Sequence, residues 1–187
     1  LARDSSRLAS QGAACHHCKR DVYLVTDLLE PVLEARIVCC EFTDRSMGYT
    51  GVELARLLCN CPDVKLSVAT SRQYNGKKLA DVYPNLTGMV DIVCEDLKTE
   101  ELADRADLFF TAVPHQTAMA IVPDLLKAGK KVVDLSADFR LHDAEVYEKW
   151  YQNHTAPEYL AEAIYGLPEL YRQQIAGARL VANPGCY

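Results

Sequence analysis

Four short apolar runs constrain this 187-residue chain more than any other feature: Val64–Thr70, Leu108–Val113, Lys131–Leu135 and Ala178–Ala182. Runs of four to eight mostly apolar residues, bounded by turn-forming residues, read as strands buried on both faces. Segments with helical periodicity lie between them. That alternation predicts an α/β fold, a doubly wound parallel sheet with right-handed crossovers. Sheets of this kind gather ligands and chemistry at the carboxyl ends of their strands. The residues just after each run therefore carry the functional reading.

After the first run come Ser71 and Arg72. In dinucleotide-binding sheets an acid about 20 residues beyond the glycine-rich turn holds the ribose 2′-OH; a serine and an arginine there suit a 2′-phosphate, and hence NADP. An ordinary surface arginine is the other reading. After the second run come Pro114, His115 and Gln116, and after the third Ser136-Ala137-Asp138-Phe139-Arg140. Arg140 either clamps a carboxylate or phosphate or serves as scaffold with Asp138. The fourth run ends in Asn183-Pro184-Gly185, a turn that delivers Cys186 past a strand end. A thiol so placed is a candidate nucleophile. A small buried side chain is the usual reading of an arbitrary cysteine, and spacing does not choose between the two.

Upstream, Arg36–Phe42 reads as a first strand leading to Gly48 and Gly51, with Arg45 where a Gly-x-x-Gly-x-x-Gly turn has its first glycine. Thr50 and Glu53 are expected to form a capping box opening a helix over Val52–Asn60, whose N-terminus suits a phosphate. Asp91–Cys94 is a further short strand, and Thr99 caps a brief helix. The helix Thr117–Ala128 is expected to be interrupted at Pro123 and closed by Gly129. Asp143 caps the next helix, which carries Val146, Tyr147, Trp150 and Tyr151; His142 and His154 are assigned to the surface. Tyr165–Leu170 is read as a rigid loop, because Gly166 and Pro168 oppose regular structure.

The net charge of −6 and the lack of a basic patch argue against a nucleic-acid partner. The longest apolar candidate, Leu108–Leu126, is broken by Pro114, His115, Gln116 and Pro123, so no membrane helix is expected. Eight cysteines without a secretory leader point to thiols in a reducing, cytoplasmic setting. Residues 1–20 show no period and read as disordered. Cys15-His16-His17-Cys18 is packed too closely for a tetrahedral site and has no second pair at zinc spacing, so no metal is assigned. The division is an unmatched extension over 1–35 and a dinucleotide-binding domain over 36–187.

Asn183-Pro184-Gly185-Cys186-Tyr187 resembles the active-site cysteine motif of N-acetyl-γ-glutamyl-phosphate reductases, relatives of aspartate-semialdehyde dehydrogenase. Gly48-Tyr49-Thr50-Gly51, Val132–Arg140 and Tyr165–Leu170 agree in the same order, so that the resemblance covers about residues 48–187. It implies a Rossmann-like NADP-binding domain with Cys186 as nucleophile. Gly48, Thr50, Gly51, Ser71, Arg72, Pro114, His115 and Ser136 would lie on the cofactor. The substrate would be a small acyl phosphate, reduced with NADPH to a semialdehyde in arginine biosynthesis, and the complete family protein would be a homo-oligomer. The family's acid/base histidine and its substrate and dimerisation domain follow the cysteine. The 187 residues by themselves are therefore expected to be inactive. A carrier-linked acyl-phosphate reductase of lysine biosynthesis and a non-catalytic nucleotide-binding remnant are the competing readings.

Overall fold

A computed structural model describes residues 35–40, 48–61, 64–114 and 116–185, with side-chain surroundings from Thr50 onward. The extension with its Cys15–Cys18 cluster, Arg45, His115 and Cys186 lie outside the described residues.

Seven strands run in one parallel sheet: β1 (Ala35–Cys40), β2 (Val64–Thr70), β3 (Cys94–Glu95), β4 (Leu108–Thr111), β5 (Lys131–Asp134), β6 (Ile164–Tyr165) and β7 (Leu180–Ala182). Their spatial order is β3-β2-β1-β4-β5-β7-β6. Every pairing between these strands is parallel, so each must be reached by a crossover. The crossovers carry helices α1 (Gly48–Cys59), α2 (Leu79–Val82), α3 (Thr99–Ala103), α4 (Ala118–Lys127), α5 (Ala144–Trp150) and α6 (Pro168–Gly177). The chain turns back across the sheet between β1 and β4. This is the doubly wound α/β architecture that the apolar runs imply.

Two apolar layers sandwich the sheet, and strand alternation assigns residues to them. Leu108, Phe110, Val133 and Val181 join Leu54, Ala55 and Leu58 of α1 on one side. Phe109, Val132, Leu180 and Ala182 join Met119, Val122, Leu125 and Leu126 of α4 on the other. Phe109 and Phe110 are buried on opposite faces, and each contributes ~2–3 kcal/mol of apolar burial. In β2 the register against β1 slips by one residue, so that Ile37 pairs with Leu66 and Val38 with Val68. That irregularity puts Leu66 and Ala69 in one layer and Val68 in the other.

Several local expectations are corrected. Helix α1 begins at Gly48, a turn earlier than expected, so Thr50 is its third residue and not its cap. Glu53 pairs instead with Arg56 one turn on (Nε–Oε2 2.8 Å). Lys98, not Thr99, precedes α3, and its N–H donates to Glu101 at 3.0 Å. Helix α4 runs through Pro123, because its buried face on the sheet offsets the lost backbone bond. Gly129 closes it with φ +75°, as read. Tyr165–Leu170 is not a loop. Ile164 and Tyr165 pair with Val181 and Ala182, and Pro168 starts α6, since proline at the first helical position gives up an N–H that has no helical partner anyway. Gly166 makes the junction fit: a Cβ there would stand 2.9 Å from Val181 Cγ1 and 3.2 Å from the Ala182 carbonyl oxygen.

Candidate active site

Parallel strands bring their carboxyl ends to one edge, and the described residues that follow each run lie along it. The first turn of α1 holds Gly48, Thr50 and Gly51, with Thr50 exposed and Gly51 buried. Its leading N–H groups lack helical acceptors and favour an anion. At the end of β2, Ser71 is buried and its hydroxyl accepts the Tyr74 N–H at 3.1 Å, while Arg72 stands exposed. Pro114 is exposed just after β4.

The ends of β4, β5 and β7 are tied by a buried polar network. Asp134, the last residue of β5, is fully buried. Its carboxylate accepts the Thr111 hydroxyl (2.6 Å), the Ser136 hydroxyl (2.6 Å) and the Ser136 N–H (3.1 Å), and its carbonyl accepts the Asn183 N–H (2.8 Å). Burial pushes its pKa up to about 6, and the bonds from Ser136 and Thr111 hold it below a still larger rise. Ser136 thus spends its hydroxyl proton on Asp134, while its oxygen accepts the Asp138 N–H at 3.1 Å.

Arg140 resolves into the scaffold role, though not with Asp138. Its Nε donates to the Asn183 carbonyl and its Nη2 to the Leu135 carbonyl, both at 2.7 Å. One guanidinium therefore fastens the loop after β5 to the turn after β7. A Cβ on Gly185 would lie 3.1 Å from Arg140 Nη1, so the arginine packs against the residue before Cys186.

His154 is not a surface residue. It is 4% exposed, and its Nε2–H donates to the Asp138 carbonyl at 2.8 Å while Nδ1 accepts the Ala156 N–H at 3.2 Å. The Asp138 carboxylate accepts the Tyr147 hydroxyl at 2.8 Å and the Gln116 N–H at 2.8 Å. Burial and the bond to Asp138 both hold the Tyr147 hydroxyl protonated. Sequence reasoning missed this network. Its one signal is the alternation Asp134-x-Ser136-x-Asp138 directly after an apolar run, where surface polarity has no reason to keep step. The thiols of Cys59 and Cys94 are pushed up by burial, the opposite of what a reactive cysteine needs.

Residues 46–178 match the family model described as semialdehyde dehydrogenase, NAD binding domain. The chain belongs to that family. It is 66% identical over 140 residues to the N-acetyl-gamma-glutamyl-phosphate reductase of Desulfotalea psychrophila, and 56% identical over 140 residues to that of Geotalea daltonii. Each match covers 75% of this chain and 40% of the relative, so the chain spans less than half the length of these relatives. Among solved structures, aspartate semialdehyde dehydrogenase II complexed with ASA from Vibrio cholerae superposes with a TM-score of 0.57 at 16% identity, over 82% of this chain and 42% of that one. At that identity the likeness shows the fold alone.

The family is a nicotinamide-dinucleotide-binding one, and the donor set fits such a ligand: helical N–H groups in the first turn of α1 and an exposed arginine at the end of β2. No helix among the described residues is long and apolar enough to cross a membrane.

Proposed function

We propose that the complete protein reduces N-acetyl-γ-glutamyl phosphate to the semialdehyde with NADPH, the arginine-biosynthesis step its relatives are named for. The observation that carries this reading is the coincidence of 66% identity to a named reductase with an Asn183-Pro184-Gly185 stretch before Cys186 whose first residue is fastened to the end of β5 and to Arg140 of the loop after it. The Cys186 thiolate attacks the acyl carbon and displaces phosphate, leaving a thioester. A dinucleotide held there would supply the hydride that reduces this thioester to the aldehyde, with the Cys186 thiolate as the leaving group. Arg140 and Asp134 hold the turn by its Asn183 carbonyl and N–H, so the attacking group needs little reorganisation. Gly48, Thr50 and Gly51 receive the pyrophosphate at the start of α1. Pro114, His115 and Ser136 border the nicotinamide side.

The choice of NADP over NAD rests on Ser71 and Arg72, which present a cation and no carboxylate at the strand end. The same reading makes the protein cytoplasmic, in keeping with the thiols of Cys59, Cys61 and Cys94 standing outside any disulfide, and makes the full-length form a homo-oligomer. The test joins this chain to the remaining C-terminal length of the Desulfotalea psychrophila relative and follows phosphate-dependent NADP⁺ reduction with the semialdehyde. Turnover should fall by ~10²-fold or more in Cys186→Ser. Unchanged turnover in that variant removes the nucleophile assignment.

A further inference from the structure

Among the described residues, Gln116 alone of the non-glycines has a positive φ, at +80°. A Cβ makes that conformation unfavourable, so the surrounding structure must hold it. The Gln116 side chain is exposed, and the hold comes through its backbone. Its N–H donates to Asp138 Oδ2 at 2.8 Å, 22 residues along the chain. Asp138 is fully buried and cannot swing away. Its Oδ1 accepts the Tyr147 hydroxyl (2.8 Å), its N–H donates to Ser136 Oγ (3.1 Å), and its carbonyl accepts His154 Nε2–H (2.8 Å). His154 is itself oriented by the Ala156 N–H at Nδ1 and by edge-on packing against Phe139 and Tyr147. The acceptor is thus fixed before Gln116 reaches it.

The turn so held follows β4, at the point where the strand order reverses, and open α/β sheets bind their ligands there. We infer that Asp138 is a positioning residue: it locks Gln116 in its left-handed turn and so presets the Gln116 backbone after β4 against the nicotinamide half of the dinucleotide, an inference that rests on the cofactor reading above. A turn already ordered has nothing to lose on binding, whereas a loose one is ordered at the ligand's expense.

The experiment compares wild type, Asp138→Ala, Gln116→Gly and the double variant for binding of NADPH and of 2′,5′-ADP, which lacks the nicotinamide half. Asp138→Ala should weaken NADPH by roughly tenfold, as for one lost hydrogen bond to a charged group, and leave 2′,5′-ADP unchanged. Gln116→Gly added to Asp138→Ala should restore most of the loss, because glycine takes φ near +80° without a clamp. A purely structural role through Tyr147 and His154 would weaken both ligands alike and would not be rescued at position 116; either result overturns the inference. If Asp138→Ala does not fold, Asp138→Asn replaces it, with a smaller loss that Gln116→Gly again removes. A wild-type chain that binds neither ligand overturns the cofactor reading and the positioning role together, whereas wild-type NADPH affinity in Asp138→Ala overturns the positioning role alone.

Discussion

Two ends of the same sheet edge are built in opposite ways. After β2, Arg72 projects into solvent, and the hydroxyl of Ser71 accepts a neighbouring N–H. After β4, β5 and β7, the polar groups are committed to one another: Thr111, Ser136 and Asn183 to Asp134; the Gln116 N–H, Tyr147 and His154 to Asp138; Leu135 and Asn183 to Arg140. An exposed cation recognises charge and tolerates change around it. A buried network sets atomic positions, and each of its members is costly to lose because the partners left behind are desolvated. Under the proposed function, the contrast would match two tasks, selecting a cofactor and placing the groups that react.

The contrast breaks most visibly at Arg140. Arg140→Ala leaves the Leu135 and Asn183 carbonyls without their donor and should lower stability by ~2–4 kcal/mol, read from the denaturant midpoint at constant slope. A loss no greater than that of Arg72→Ala would erase the distinction between the two ends.

Asp134 gives the next largest effect, as a pH dependence. Its carboxyl titrates near 3.8 unfolded and at about 6 folded, so between those values the folded state holds the proton more tightly. This contribution is fully present below about pH 4 and is lost as pH rises through about 6, a swing of up to ~3 kcal/mol. The wild-type curve of stability against pH should therefore decline more steeply between about pH 4 and 6 than that of Asp134→Asn. Parallel curves for the two proteins would show that the buried carboxyl does not titrate as argued.

Gly166→Ala should cost ~1–3 kcal/mol, because the added Cβ meets Val181 and the backbone of Ala182 and Asn183, which cannot all move aside. Amide exchange at Asn183 should quicken in that variant before exchange at Ala69 does, since β2 lies far across the sheet. The smallest stability effect, within ~0.5 kcal/mol, is expected for Arg72→Asp. That variant should nonetheless lose the preference for NADPH over NADH, measured by titrating both cofactors. Equal affinities in the unmutated chain would dismiss Arg72 as the 2′-phosphate ligand.

Much of this architecture is legible in residue order. Val64–Thr70 is a strand over the range its apolar content predicts, and Asp143 caps its helix by accepting the Glu145 and Val146 N–H groups. Both depend on neighbours within a few residues. The misreadings share a different origin. Thr50 looks like a cap because the helix start at Gly48 has no local signal. Pro168 looks like a breaker because a proline reads alike before and within a helix until the helix boundary is known. His154 looks exposed because the phenylalanine, tyrosine and carbonyl that enclose it come from elsewhere in the chain.

Period and turn chemistry by themselves determined that strands alternate with helices, that the sheet is parallel, and that Ser71, Arg72, Pro114, Ser136 and Gly185 follow strand ends. Tertiary structure alone decided which residues at those ends are committed to one another. A hydrogen bond over 22 residues, as from Gln116 to Asp138, or over 43, as from Arg140 to Asn183, leaves no periodic trace in sequence. It exists because the crossovers stack β4, β5 and β7 side by side, and because polar groups brought together in that dry edge must find each other as partners.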